Sequence, residues 1–343
     1  MTKKQKSLIT IISLLSLILL SVFFLNKAFD NKESEVTFFA MDTVMTIKAS
    51  GAKSESAVEA SKEAIISIDK KLSVTDERSI IYSLNERKEA SLDDDLEYLF
   101  SESEYTKNLT EGAFNICIYP IMKEWGFTTG DYNVPSESTL EKLCNLVADS
   151  KINIDEESKT VSLSKDAMVD FGGIAKGYAT EIAVEVLKKN GIKRALINLG
   201  GNVYALGKKT DGSSWSIAIQ NPDSNKGYLG TLKVTDKAVI TSGGYERFFE
   251  ENGMVYHHII DPFTGYPASS GASSVTIVSS DPTLADALST SLFVLGIDKS
   301  IDLWQENPDL FEFIFYDEDG NLFITEGLKN DFKSEIEFEI IKK

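Results

Sequence analysis

The spacing of apolar and polar positions divides the chain into short elements. Val36–Ala49 is rich in β-branched and aromatic residues and reads as one strand. From Ser54 to Leu72, Val58, Ala60, Ala64, Ile65, Ile68 and Leu72 recur near helical spacing, which predicts an amphipathic helix. A second helix is expected from about Asp93 to Leu109, and a third, Ser138–Ala148, after the turn at Val134-Pro135. Residues 151–165 read as a hairpin around Asp155-Glu156-Glu157. Lys176–Lys189 predicts a helix stopped by Asn190-Gly191, followed by the short apolar strand Ala195–Leu199. Strands dominate from about Val203 to Val278. Asp281-Pro282 then opens another helix, with Asp281 as N-cap and Pro282 in its first turn. Strands ending in Glu335–Ile341 close the chain. Helices and strands mix without regular βαβ alternation, and neither a repeat nor a long linker separates them, so a single α+β domain is expected.

The pattern differs before residue 28. Lys3, Lys4 and Lys6 precede Ser7–Leu25, an uncharged, mostly apolar run of 19 residues, long enough to cross a hydrocarbon core as a helix. No small-x-small cleavage site and no cysteine follow it, which favours an uncleaved anchor (1–27) over a cleaved signal. The positive-inside bias places the lysines in the cytoplasm and everything after Lys27 outside it. Residues 28–35, with Asp30, Glu33 and Glu35, read as an acidic linker, and 36–343 as the domain.

Charge narrows the function. The formal net charge is −18, and the first 27 residues hold four lysines and no acid, so the remainder stands at −22. Such a body repels nucleic-acid phosphates, and no basic stretch interleaved with aromatics appears, so nucleic acid is not an expected partner. Cys117 and Cys144 are too few for a disulfide framework and fit no metal spacing. Cys144, in an apolar helical pattern, reads as a buried thiol.

Four stretches carry candidate chemistry. The chain's two histidines are adjacent, His257 and His258, at the end of an expected strand before Asp261-Pro262. Their rings would face opposite sides, and either a sheet hydrogen bond or a base or metal-ligand role suits them. Asp170-Phe-Gly-Gly-Ile-Ala-Lys-Gly177 places two glycines and Lys176 at the start of a helix, where backbone amides can approach an anion. It lacks the partners of a kinase magnesium triplet and the ending of a Walker loop. Asn198–Asn202 and Thr241–Arg247 supply further glycine turns, which tight-turn geometry alone would also explain. In Asp281–Thr290, Asp286 and Thr290 stand at i and i+4, sharing one helix face. Their oxygens suit a hard cation such as Mg²⁺, or else a solvated acid and a threonine bonded to its own helix.

Taken in order, Met41-Asp-Thr43, Leu72-Ser73 with Ser79 and Asn85, Gly112-Ala-Phe-Asn115 leading to Trp125-Gly-Phe127, Asp170–Gly177, Asn198–Asn202, Thr241–Arg247, His258–Pro267 and Ala285–Gly296 resemble the ApbE family of FAD:protein FMN transferases. The match covers nearly the whole body after the anchor. The resemblance implies a T-fold-related domain of mixed sheets and helices and an enzyme that transfers FMN from FAD to a threonine hydroxyl, releasing AMP. It implies that Asp170 and Lys176 bind FAD, with Met41, Ala113, Phe114, Asn115 and Ile260 lining the pocket. It further implies that the Gly173 carbonyl, Asp286 and Thr290 hold Mg²⁺ and that His258 is the active-site histidine. Implied acceptors are extracytoplasmic redox proteins with a Ser/Thr-Gly-Ala-Thr-like motif. Ser270-Gly-Ala-Ser273 of this chain reads only as a turn. Three positions depart from the family pattern: Asn115 for aspartate, Gly244 for a larger polar residue, and Thr75 for an aromatic. An FAD pyrophosphatase, or a flavin-binding ectodomain without catalysis, would fit the same scaffold.

Overall fold

The computed structural model describes residues 32–343 together with Gln5. The expected anchor (1–27) otherwise lies outside the described residues, among which no helix is long and apolar enough to cross a membrane.

A nine-stranded sheet forms the spine. Its order is Glu33–Ala40, Thr43–Ser50, Arg194–Leu199, Asn202–Leu206, Lys237–Gly243, Ala272–Ser279, Glu312–Asp317, Leu322–Thr325 and Phe338–Ile341. The pairs are antiparallel except the last, which is parallel. Period-2 alternation sends successive residues to opposite faces, and here both faces are covered. Ala238 and Ile240 enter a core with the helices Ser54–Leu72, Ala175–Lys189 and Pro282–Glu306. Val239 between them enters a second core under the three-stranded sheet of Trp215–Gln220, Tyr228–Val234 and Phe332–Lys333. A third core, with Leu84, Leu99, Phe100, Trp125 and Phe171 fully or nearly fully buried, holds a smaller body. That body combines the helices Ile80–Arg87, Asp94–Leu109, Tyr119–Glu124 and Glu137–Asp149 with the small sheet of Glu89–Ser91, Thr160–Leu163 and Ile152–Asp155.

The α+β expectation holds, and most expected helices fall within a residue or two of their limits. Asp281 caps the long C-terminal helix by accepting the Leu284 N–H at 2.9 Å, with Pro282 in its first turn. Three readings change. Val36–Ala49 is not one strand but a hairpin from Glu33 to Ser50, turning at Met41 and Asp42, whose φ values are +47° and +58°. Both residues sit in the left-handed region, a conformation costing each about 1–3 kcal/mol, and no glycine or asparagine marks the turn. The hairpin also takes residues 33–35, read as linker, into the sheet. The helix Ile80–Arg87 was not expected; Ser79 caps it by accepting the Ile81 N–H at 3.1 Å. Cys144 is half-buried, whereas Cys117 is the buried thiol, its pKa pushed up to about 11 by burial. Ser270–Ser273 is a turn into a strand, with Gly271 at φ +79°.

Gly177 joins two of the helices closely. A Cβ there would lie 2.3 Å from the Pro282 carbonyl oxygen and 2.6 Å from Asp286 Cβ. Glycine to alanine in an open helix gains about 1 kcal/mol, but here overpacking of about 1–3 kcal/mol opposes it. Gly177→Ala is therefore expected to lower the urea midpoint of the domain, and a raised midpoint would contradict this packing.

Candidate active site

The smaller helical body meets the main sheet at Met41, which packs against both cores. The Asp69 carboxylate accepts the Met41 N–H, which helps offset the strain of the turn, and burial raises the Asp69 pKa. Arg247 ties the turn to the opposite wall, with Nη2 3.5 Å from Asp42 Oδ2 and Nη1 3.4 Å from the Phe127 carbonyl oxygen.

Asp170 is positioned by the irregular segment that leads into it. Buried Asn85 donates from Nδ2 to the Val169 carbonyl at 2.8 Å and accepts the Val169 N–H at 2.7 Å. The Asp170 N–H donates to the Ile116 carbonyl at 2.8 Å, and Asp170 Oδ1 accepts the Gly172 N–H at 2.8 Å. Burial raises the Asp170 carboxyl, while the Gly172 bond and the Arg247 charge act the other way. Asn115 is a cap as well as a lining residue: its Oδ1 accepts the Cys117 N–H at 3.0 Å. Ala113, Phe114 and Ile260 are buried. A Cβ on Gly173 would meet Phe114 Cε2 at 3.2 Å and Thr290 Oγ1 at 3.8 Å, so glycine, ring and hydroxyl face one another.

Asp286 is buried on the long C-terminal helix. Its Oδ2 accepts the Gly177 N–H and its Oδ1 accepts Asn202 Nδ2–H, both at 2.8 Å. Burial raises its pKa, opposed chiefly by the charge of Lys176 in the first turn of the neighbouring helix. Thr290 Oγ1 lies 3.3 Å from Ser242 Oγ, which is itself 2.8 Å from Ser289 Oγ. Among the described residues, no group of three or more His, Cys, Asp or Glu side chains could hold a metal. The donors here are different: one carboxylate, hydroxyls and the backbone of Gly173. An all-oxygen set with a buried anion fits a hard cation that keeps other ligands.

The two histidines diverge as strand geometry requires. His257 Nε2 lies 3.2 Å from the Ala268 carbonyl, and its ring stands edge-on to Phe293. Its ring also fills the space above Gly244, where a Cβ would come within 2.9 Å of His257 Cδ2. The glycine at 244 thus accommodates His257. His258 points the other way: Nδ1 lies 3.1 Å from the Arg247 carbonyl. A carbonyl only accepts, so the proton sits on Nδ1 and Nε2 is the free base. Burial, reinforced by the charges of Arg247 and Lys176, lowers the His258 pKa to about 3.

The loop after His258 is held by an Asx turn, in which Asp261 Oδ1 accepts the Phe263 N–H at 2.8 Å, and by Trp125 Nε1–H donating to the Gly265 carbonyl at 2.7 Å. Sequence reasoning missed three residues here. Glu246 feels the charges of Lys176, Asp286 and Arg247, and the surrounding protein raises its pKa. Asp69 supports the strained turn, and Asn202 orients Asp286. For Glu246 the available signal was an acid two positions after paired glycines. Thr75 is exposed in the loop before the helix Ile80–Arg87.

Comparison with known proteins identifies relatives of the whole domain. The sequence model described as the ApbE family matches residues 41–315. An FAD:protein FMN transferase of Klebsiella pneumoniae is 35% identical over 202 residues, covering 58% of this chain and 62% of the relative. Another of that description, from Treponema pallidum, is 37% identical over 223 residues, covering 60% and 61%. The chain thus spans about three fifths of the length of these relatives. The crystal structure of the ApbE protein of Thermotoga maritima superposes with a TM-score of 0.81 at 31% identity, covering 88% of this chain and 100% of that one.

Proposed function

The chain belongs to the ApbE family, and from that premise we propose that it transfers FMN from FAD to a threonine hydroxyl of another protein, releasing AMP. The observation that carries this reading is the buried Asp286, one helix turn before a Thr290 whose hydroxyl faces Gly173, within electrostatic reach of Lys176, which also acts on a neutral histidine. In this reading Met41, Ala113, Phe114, Asn115 and Ile260 line the FAD pocket, and Asp170 and Lys176 bind FAD. The Gly173 carbonyl, Asp286 and Thr290 hold Mg²⁺. Bound there, Mg²⁺ supplies charge neutralisation to the pyrophosphate oxygens.

The remaining chemistry belongs to the chain. The threonine Oγ bonds to the phosphorus of the FMN half, the bond from that phosphorus to the bridging oxygen breaks, and AMP leaves with that oxygen. His258 Nε2 takes the threonine proton. Lys176 and Arg247 place positive charge near the anionic substrate, and the Asp261 loop holds His258 in register.

Acceptors in this reading are extracytoplasmic redox proteins carrying a Ser/Thr-Gly-Ala-Thr-like motif, with the domain held outside the membrane by residues 1–27. The test is to incubate the chain with FAD, Mg²⁺ and such an acceptor domain, then map flavin fluorescence on the denatured acceptor. Flavin on the motif threonine is expected. Fluorescence absent from every acceptor threonine, despite FAD turnover, would sink the reading.

A pH prediction follows from the histidine. A base with its pKa lowered to about 3 stays unprotonated as pH falls through the ordinary histidine range. The kcat/KM for FAD should therefore stay flat from pH 8 to pH 6. An acid limb near pH 6.5 that His258→Gln removes would contradict this.

A further inference from the structure

The end of the main sheet opposite the candidate site carries a basic depression. Antiparallel pairing fixes the two ends: Ala40, Thr43, Leu199 and Asn202 lie together at the site end, and Glu33, Ser50, Arg194 and Leu206 at the other. At that far end a depression of about 380 Å³ is lined by Lys53, Lys189, Lys193 and Arg194, with no acid in its lining. Lys53, Lys189 and Lys193 are exposed. Lys189 pairs with Glu185 at 2.9 Å, while among the described residues Lys53 and Lys193 form no ion pair. In a body at −22, this lining holds cations and no acid, and its excess of positive charge rests on Lys53 and Lys193, since Lys189 is met by Glu185.

The chain enters the domain at this same rim. The Gly51 N–H, in the depression, donates to the Lys32 carbonyl at 2.9 Å, and exposed Lys32 adds a further cation paired with Glu55. Lys32 is seven residues beyond Leu25, the end of the apolar run, so at full extension no more than about 25 Å separates them. A polybasic surface held this close to a bilayer is attracted to anionic headgroups over a screening distance of about 10 Å.

We propose that this basic depression seats the domain on the anionic headgroups of the membrane's outer face. The Asp286–His258 site then opens on the side away from the bilayer. The strands between the two ends run eight residues, about 26 Å, so the site stands clear of the headgroups and open to acceptor domains that project from the membrane. The proposal rests on the reading of residues 1–27 as an anchor.

The test uses the full chain reconstituted into vesicles and isolated by flotation. Accessible lysines are acetylated and quantified by mass spectrometry in phosphatidylglycerol and in phosphatidylcholine vesicles. Acetylation of Lys53 and Lys193 should fall at least five-fold in phosphatidylglycerol and recover in 0.5 M salt. Lys123 and Lys142, on helices of the smaller body, should not change. Lys53→Glu with Lys193→Glu should abolish protection of Lys189 while leaving flavin transfer in detergent unchanged. Equal acetylation in both lipids, or equal protection by inorganic phosphate in phosphatidylcholine vesicles, would overturn the membrane face alone. A chain that does not float with the vesicles would overturn the anchor and the face together.

Discussion

Replacing His258 with alanine is expected to lower flavin transfer by about 10²–10⁴-fold while FAD binding persists. The geometry makes this a test of proton transfer rather than of folding. The hairpin of Phe248–Glu251 and Met254–His257 keeps the main-chain bond at its foot, from the His258 N–H to the Arg247 carbonyl at 3.0 Å, whatever side chain stands at 258. The ring adds the Nδ1 contact to the same carbonyl and an edge-on approach to Phe127 at 6.5 Å between centroids. His258→Gln can keep a donor toward Arg247 but offers no imidazole base, so it should fold well and remain as impaired as the alanine variant. Transfer by either variant within a few-fold of the parent would assign His258 an orienting role only.

The second large effect is expected at Asp286. Asp286→Ala removes the buried carboxylate and leaves the Gly177 N–H and the Asn202 amide without their acceptor, each at a cost of about 1–3 kcal/mol. Asp286→Asn is the cleaner variant because its amide oxygen still serves one of these donors. With parent protein, Mg²⁺ should raise the melting temperature, since a cation bound only to the folded state adds stability by mass action. That rise should vanish in Asp286→Asn, and transfer should fall by about 10²–10³-fold. Should the variant keep both the Mg²⁺-dependent rise and the transfer rate, Asp286 would be a structural acid bonded to its neighbours and nothing more.

How much of this was legible in the sequence depended on whether the signal was local. The long helices were, because Ser54–Leu72 and Pro282–Glu306 combine periodic apolar residues with recognisable boundaries, and Asp281-Pro282 announces the second of them. The hairpin at Met41-Asp42 was not. Its turn puts a methionine, which seldom enters the left-handed region, beside Asp42 with no glycine to mark it, and the Asp69 carboxylate that supports it lies far along the chain. The helix Ile80–Arg87 is too short for its periodicity to stand out, and its buried Asn85 faces Val169, 84 positions later. At the site, glycine and helix spacing singled out Asp170, Lys176, Asp286 and Thr290 as candidates with alternatives open, and their roles came from the family resemblance. Glu246 was not, because its environment is assembled from Lys176, Asp286 and Arg247 on separate elements. The divergence of His257 and His258 followed from strand alternation, but only the Arg247 carbonyl fixes which nitrogen is free.

The ratio of AMP released to flavin covalently bound, when the chain, FAD, Mg²⁺ and a threonine-bearing acceptor domain react to completion, separates transfer from hydrolysis. Transfer predicts one AMP for each flavin on the acceptor, with no free FMN and no reaction once EDTA is added. AMP released together with an equal amount of free FMN, and an acceptor of unchanged mass, would contradict it and identify water as the nucleophile.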